Sequence, residues 1–296
     1  EIINGLFKKK FRYKKIEIVL KELGLDSIPI KRNDHHLLHA ASAYYGVRKN
    51  HHEPHLVLTL DGGGDGSCSH VYVVKDNSFN LVASSSEENS LGNIYLNITH
   101  FLGMKPHEHE YKVMGLAAYS NKEYCRDVQD KLETYLDLDP QDPLKFKKKI
   151  IEPLSFIGKR LIDDFQETRF DNLCGGLQFF TEDLILRWVK ECIKKTGIKN
   201  IVVAGGVFMN IKVNKKISEL KEVNYFNVMP SCGDETLPFG SVWYEYAKLN
   251  KNKSKDIELK TFFLGPDIKF DEIKFKNNNQ NNFKLTKLKN KYEKIA

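Results

Sequence analysis

At 296 residues, 41% of them hydrophobic, the chain is long enough for one large or two medium domains with real cores, and wholesale disorder is excluded. It has no apolar run of about eighteen residues to span a membrane, no basic-then-apolar start of a secretory signal, and five scattered cysteines without Cys-x-x-Cys, which together point to a cytoplasmic protein rather than a disulfide scaffold or zinc ribbon. The net charge of +7 is mostly lysine spread along the chain and into the tail, a pattern that suits solubility and phosphorylated small molecules better than nucleic acid.

Residues 7–15 form a basic run. Residues 14–25 place Ile16, Val19, Leu20 and Leu23 at helical spacing with Gly24 as a stop, and residues 28–32 read as a short strand. A helix over 34–46 follows, with Asn33 or Asp34 placed to cap its start and Gly46 to end it. On that helix His35 and His39 share one face, a spacing from which two imidazoles reach one metal ion. The alternative is a polar first turn with solvated histidines. His36 is turned about 100° away from His35 and reads as a packing residue. The polar loop 47–54 carries His51 and His52, with His55 just beyond it; the three resemble a metal cluster, but Pro54 breaks any helix there and no acidic residue has fitting spacing, so a solvated loop is the favoured reading.

Residues 56–60 (LVLTL) read as a buried strand, followed by Asp61-Gly62-Gly63-Gly64-Asp65-Gly66-Ser67 and further strands at 69–75 and 80–84. A glycine-rich loop between strands lets backbone N–H groups approach an anion, and Asp61 at its head is placed for a metal or a polarised water. Helices are expected at 91–102 and 109–119. Residues 123–167, charged and carrying three prolines, read as an irregular insertion over the core. A long amphipathic helix within 166–196 has Leu184, Trp188, Val189 and Ile193 as its apolar stripe. The strand 201–204 runs into Gly205-Gly206-Val207-Phe208-Met209-Asn210, where a helix should begin, giving a second anion or nucleotide site. A strand at 226–229 leads into Pro230-Ser231-Cys232-Gly233-Asp234 and a helix through Lys248, which Asp234 could simply cap. From Asn250 the composition shifts to Lys and Asn, reading as a linker with one strand-like piece at 261–264.

Six segments occur in one order: DHHLLHAASAYYG, LDGGGDG, SLGNIY with FLG, EYKVMGLAAY, AGGVFMN and PSCGDETLPFGS. In that order they resemble the O-carbamoyltransferases of nodulation-factor and antibiotic biosynthesis, over roughly residues 14–266. The resemblance implies an α/β fold of the actin/hexokinase-like ATPase type, ribonuclease H-like and duplicated, with the first subdomain incomplete at its N-terminus. It implies a transfer domain over 1–249, then, over 250–296, the linker and start of a missing C-terminal YrdC-like domain. In such proteins the YrdC-like module makes carbamoyl adenylate from carbamoyl phosphate and ATP, and the actin-like module passes the carbamoyl group to a hydroxyl of a small-molecule or sugar acceptor.

By the same resemblance His35, His39 and Asp234 match metal ligands, with Asp61 a further one, for a divalent ion: Fe(II) first, with Mn, Zn or Mg as alternatives. Catalysis is expected to run through Asp61, His35 and His39. Gly205, Gly206 and Asn210 match a nucleotide-binding turn. Gly62, Gly63 and Gly64 are expected to cradle the adenylate, and Lys112 to line the same cleft. Two other functions compete: a threonylcarbamoyl-type tRNA modifier and a non-catalytic nucleotide-binding fragment. Scarce arginine and the LDGGGDG and EYKVMGLAAY segments favour the small-molecule branch.

Overall fold

The five side chains from Leu56 to Leu60 are all fully buried, so the strand that carries them needs cover on both faces. That strand is β1 (His55–Gly64), followed by β2 (Ser67–Lys75), β3 (Ser78–Ser86), β4 (Leu136–Asp139), β5 (Asp142–Lys148), β6 (Asn200–Ala204) and β7 (Tyr225–Val228). The computed structural model describes residues 15–250 together with Ile257, Thr261, Phe262, Gly265 and Pro266. Residues 7–14 of the basic run, the Lys/Asn-rich segments 251–253 and 277–282, and residues 263–264 of the strand-like piece lie outside them. Two compact units divide the chain, Glu1–Leu259 and Lys260–Ala296, and every element named belongs to the first.

β1 is the centre of a mixed sheet of order β3-β2-β1-β6-β7. It pairs antiparallel with β2, and β2 with β3; on its other edge it runs parallel to β6, and β6 to β7. Among the described residues the only other sheet is the antiparallel pair β4-β5, so one large α/β sheet is present and its duplicate is not seen. Helical residues 15–22 form α1. The further helices are α2 (His35–Val47), α3 (Leu91–Phe101), α4 (Glu110–Leu116), α5 (Lys122–Glu133), α6 (Gly158–Phe165), α7 (Phe170–Thr196), α8 (Ile211–Ser218) and α9 (Leu237–Leu249). α2 packs on β1 and β6 and against α9, while α3 and α7 also reach β1.

Four expectations are corrected. Residues 28–32 are not a strand; Ile28 and Ile30 are exposed, and among the described residues no neighbouring strand offers them a ladder. The glycine segment after Leu60 is mostly strand, because Asp65-Gly66 alone makes the hairpin turn, with φ of 51° and 89°. Gly62–Gly64 therefore extend β1, with a register shift between Leu60 and Gly64. Gly46 does not stop the histidine helix, which runs on to Val47 while Gly46 makes room for Met229. Finally, residues 123–167 are regular: α5 buries Cys125, Val128 and Leu132, and β4-β5 and α6 follow it.

The predicted stripe Leu184, Trp188, Val189 and Ile193 is buried on α7, and Trp188 Nε1 donates to the Leu144 carbonyl at 2.8 Å. α7 lies against α5 across Gly175 and Gly176. A Cβ at Gly176 would overlap the Val128 side chain and sit 2.8 Å from the Cys125 carbonyl oxygen, which is backbone and cannot swing away. Alanine is worth about 1 kcal/mol more than glycine in a helix interior. Here overpacking should win, and Gly176→Ala is expected to lose about 1–3 kcal/mol in chemical denaturation. Adding Val128→Ala should recover part of that loss; equal or greater stability of the single variant would contradict the packing argument.

Candidate metal centre and adjoining cleft

Asp34 caps α2, its carboxylate accepting from the Leu37 amide at 2.9 Å. This starts the helix so that His35 and His39 project from one face, with ring centroids 4.7 Å apart. β1 leaves regular pairing with β2 just after Leu60, and there Asp61 turns its carboxylate toward the two rings. Asp61 Oδ2 lies 3.3 Å from His35 Nε2 and 3.1 Å from His39 Nε2, while its Oδ1 accepts from the Gly62 amide at 2.7 Å. Asp234 arrives from the turn after β7, tied to the end of β6 by a Gly205 N–H to Cys232 carbonyl bond of 2.7 Å. Its Oδ1 is 3.5 Å from His35 Nε2 and 3.3 Å from His39 Nε2. Asp234 caps neither the short turn it begins nor α9.

One donor atom from each of His35, His39, Asp61 and Asp234 thus lies within 4.8 Å of the others. Two imidazole nitrogens and two carboxylate oxygens form a mixed donor set that fits a divalent first-row cation. His39 is fully buried and His35 nearly so, whereas the Asp234 side chain is 69% exposed, so the group opens on that side. Burial works against charge on His39, but the Asp234 and Asp61 carboxylates outweigh it and hold its pKa above the ordinary histidine value. Burial would likewise raise the Asp61 carboxyl, yet hydrogen bonds from His35 and His39 keep it far below the usual carboxylate range.

A cleft of about 860 Å³ begins at this group. Asp61, Gly62, Gly63, Gly206, Asn210 and Asp234 line it, so these predicted residues come together. Gly64, Gly205 and Lys112 are not part of its wall. Gly64 lies under the His35 ring, Gly205 packs against the Leu60 backbone, and Lys112 is exposed on α4, its Nζ 5.8 Å from the Tyr111 ring centroid. The start of α3 supplies wall residues to which the sequence reading gave no role: Gly92, Asn93 and Tyr95. The signal was Ser90, which caps α3 by accepting from the Asn93 amide at 3.0 Å and donates to the Asp61 carbonyl at 3.2 Å.

The family model described as Carbamoyltransferase N-terminus matches residues 3–242. The chain belongs to that family. It is 28% identical over 278 residues to an uncharacterized protein of Methanocaldococcus jannaschii, covering 90% of this chain and 49% of the relative. It is 28% identical over 263 residues to nodulation protein NolNO of Sinorhizobium fredii, covering 86% of this chain and 37% of that protein. The chain therefore spans half or less of the length of these two relatives. Among solved structures, full-length HypF in its phosphate- and nucleotide-bound form has a TM-score of 0.45 at 15% identity, covering 77% of this chain and 44% of that one.

Behind the candidate ligands of this carbamoyltransferase-family domain, His36 is a packing residue, as its place on the helical wheel implies. Its Nδ1 meets Thr59 Oγ1 and its Nε2 the Ser67 carbonyl, both at 2.9 Å, and His70 lies against its ring at 4.7 Å. His55 is also buried at the start of β1 rather than solvated: its Nε2 accepts from the Lys49 amide and its Nδ1 donates to the Glu53 carbonyl.

Two predictions follow from this geometry. A Cβ at Gly64 would overlap the His35 imidazole. Gly64→Ala should therefore weaken Mn(II) binding by about tenfold or more, as displaced supporting contacts do, with no donor removed. Unchanged affinity by calorimetry would break the link between the strand and the ligand pair. The second prediction concerns pH. Burial drives the His36 pKa from 6.5 down to about 4, so between those values the unfolded chain binds a proton that the folded chain refuses. Stability should then fall as pH drops through that window, by roughly 3 kcal/mol in all. Burial pushes His55 and His70 the same way. Asp137, held at about 2 against burial by Arg187 and Lys149, loses its share only below its unfolded value of 3.8. The check is the denaturation free energy of metal-free protein at pH 6.5 and 4.5; His36→Gln should reduce the difference, leaving the part due to His55 and His70, and a flat wild-type profile would refute the argument.

Proposed function

We propose that this chain is the transfer module of an ATP-dependent O-carbamoyltransferase, moving a carbamoyl group from carbamoyl adenylate to a hydroxyl of a small-molecule or sugar acceptor. The observation that carries the reading is the convergence of His35, His39, Asp61 and Asp234 at one end of a cleft of about 860 Å³, a size suited to a nucleotide-scale ligand. Membership of the carbamoyltransferase family names the group transferred. The sheet order β3-β2-β1-β6-β7, an antiparallel meander followed by parallel strands, supports a ribonuclease H-like half of an actin/hexokinase-like fold.

His35, His39, Asp61 and Asp234 are the residues to hold a divalent cation, and the nitrogen-oxygen set suits Fe(II), Mn(II) or Zn(II) better than Mg(II). When bound, such an ion supplies Lewis acidity toward a carbamoyl or phosphate oxygen. The chain's own contribution is placement. His35 and His39 are fixed by a helix seated on the sheet, and Asp61 by its bond from Gly62. Gly62, Gly63 and Gly206 present wall without side chains, so a phosphoryl or carbamoyl group can come close to backbone. The carbamoyl carbon is attacked by the acceptor oxygen while the bond to the adenylate phosphate breaks and AMP leaves. No serine or cysteine nucleophile is required, because the acyl group arrives activated.

Carbamoyl adenylate itself would come from carbamoyl phosphate and ATP on a separate YrdC-like module. This chain covers 49% and 37% of two of its relatives, and the remainder of each leaves room for one there. The cleft wall carries Glu87, Glu88, Glu108 and Glu110 and, among the described residues, no lysine or arginine. That favours a neutral or amine-bearing small acceptor over a tRNA polyanion.

The test is direct. The chain should bind about one equivalent of Mn(II) or Fe(II) under anaerobic conditions, and His39→Ala should abolish binding. With ATP and carbamoyl phosphate alone it should release no AMP, and should turn over hydroxylated acceptors only when a YrdC-like module is added. Absence of metal binding by the wild type would favour a non-catalytic nucleotide-binding fragment, and turnover that requires tRNA would favour the tRNA modifier.

A further inference from the structure

Asn210 lines the cleft, yet most of its side chain is already committed to buried partners. Its Oδ1 accepts from the Val213 amide at 3.2 Å and from Gln178 Nε2 at 3.0 Å, and its Nδ2 donates to Gln178 Oε1 at 2.9 Å. Gln178 Nε2 also donates to Glu182 Oε1 at 2.8 Å, and the other carboxylate oxygen of Glu182 pairs with Lys216 Nζ at 2.5 Å. Gln178 is 1% exposed, Glu182 5% and Asn210 7%.

The ends of this chain of contacts fix both amide orientations. The Val213 N–H is a donor, so it must face the oxygen of Asn210. The Glu182 carboxylate, paired with an ammonium group, accepts, so it must face the NH₂ of Gln178. The two constraints agree: a reciprocal amide–amide pair satisfies both, and turning either amide over would set like against like at a buried site. The remaining capacity can then be counted. Both lone pairs of Asn210 Oδ1 are used, and one of its two N–H groups is used. One N–H is left over.

We infer that Gln178 is a positioning residue that locks Asn210 so that it offers the cleft a single N–H donor and no acceptor. The ligand atom meeting Asn210 is therefore a hydrogen-bond acceptor: a phosphate, ribose, ring-nitrogen or carbonyl lone pair. Lys216 and Glu182, on α8 and α7, set the polarity of the relay from behind the wall. This rests on the nucleotide reading of the cleft and adds to it both a residue outside the wall and the sign of one contact. The spacing of the glycine turn could not supply Gln178, which lies 32 positions earlier in the chain.

The probe is ADP, titrated calorimetrically into the full chain, with Mn(II) affinity and thermal midpoint measured on the same preparations. Asn210→Asp removes the spare donor and should weaken ADP tenfold or more. Gln178→Glu places two carboxyls in contact, and Gln178→Met removes the clamp at similar volume; both should weaken ADP about tenfold while Mn(II) affinity stays within twofold. In ¹⁵N-labelled protein the Asn210 side-chain NH₂ pair, identified by its loss in Asn210→Ser, should shift on adding ADP to wild type. In folded Gln178→Met it should not. A structural role alone would lower the thermal midpoint without that spectral difference. Wild type that binds ADP while folded Gln178→Met binds it within twofold overturns the positioning role only. Wild type that binds no ADP overturns the nucleotide reading and this inference together.

Discussion

The site depends on where the first long helix meets the central strand. α2 lies on β1 and β6, and its first turn brings His35 and His39 over the point at which β1 gives up regular pairing with β2. Asp61 is the first residue past that point. Strand alternation puts Asp61 on the same face as Thr59, which already meets His36 of α2, so its carboxylate faces the imidazoles. A continuous apolar strand therefore ends on a charged residue that the fold aims. The rest of the site is arranged around that pair of elements, since Asp234 and the start of α3 both arrive by bonds to residues next to it.

Two carboxylates brought so close to each other repel, and two buried imidazoles cost desolvation energy. Each pair lowers the cost of the other, which is why the Asp61 carboxyl sits low and the His39 imidazole high. Such a balanced cluster is no strong source of stability, because taking charges out of water offsets much of their attraction. Stability comes from elsewhere: the fully buried run of β1, the stripe of α7 and the glycine-mediated contact between α5 and α7. The division is useful chemically. A site that does not hold the fold together can keep an open side, as it does at Asp234, and can exchange what it binds without unfolding the domain.

Much of this was legible in the sequence where a local pattern carried the information. The helical spacing of His35 and His39, the apolar strand before Asp61 and the stripe of α7 each depend on neighbours within a turn or a strand. The misread parts depended on distant partners. Ile28 and Ile30 have the composition of a strand but, among the described residues, no strand beside them. Gly62, Gly63 and Gly64 look like one loop, yet Asp65-Gly66 alone makes the turn, and Gly64 is required by a histidine about thirty residues earlier. Asp234 was ambiguous between a cap and a ligand because the deciding contact lies across the sheet. The charged stretch 123–167 looked irregular because α5 has only a narrow buried stripe, and its partner glycines lie on α7, in a later part of the sequence.

The cleft also combines two selectivities that neither composition nor motif order contains. Its lining residues include four glutamates and, among the described residues, no lysine or arginine although the chain as a whole carries +7, and only two of the four are met by lysines behind the wall, Glu88 by Lys148 and Glu108 by Lys105. An anionic nucleotide entering such a wall gains little from side-chain charge. It must be held by directed donors, of which the glycine-lined strand end and the spare N–H of Asn210 are examples, together with whatever cation the histidines and aspartates hold. On the proposed function, the acidic remainder would disfavour a second polyanion. On the same proposed function, such a cleft would separate its two tasks: backbone and amide donors for the group to be transferred, and the wall glutamates for the molecule that receives it.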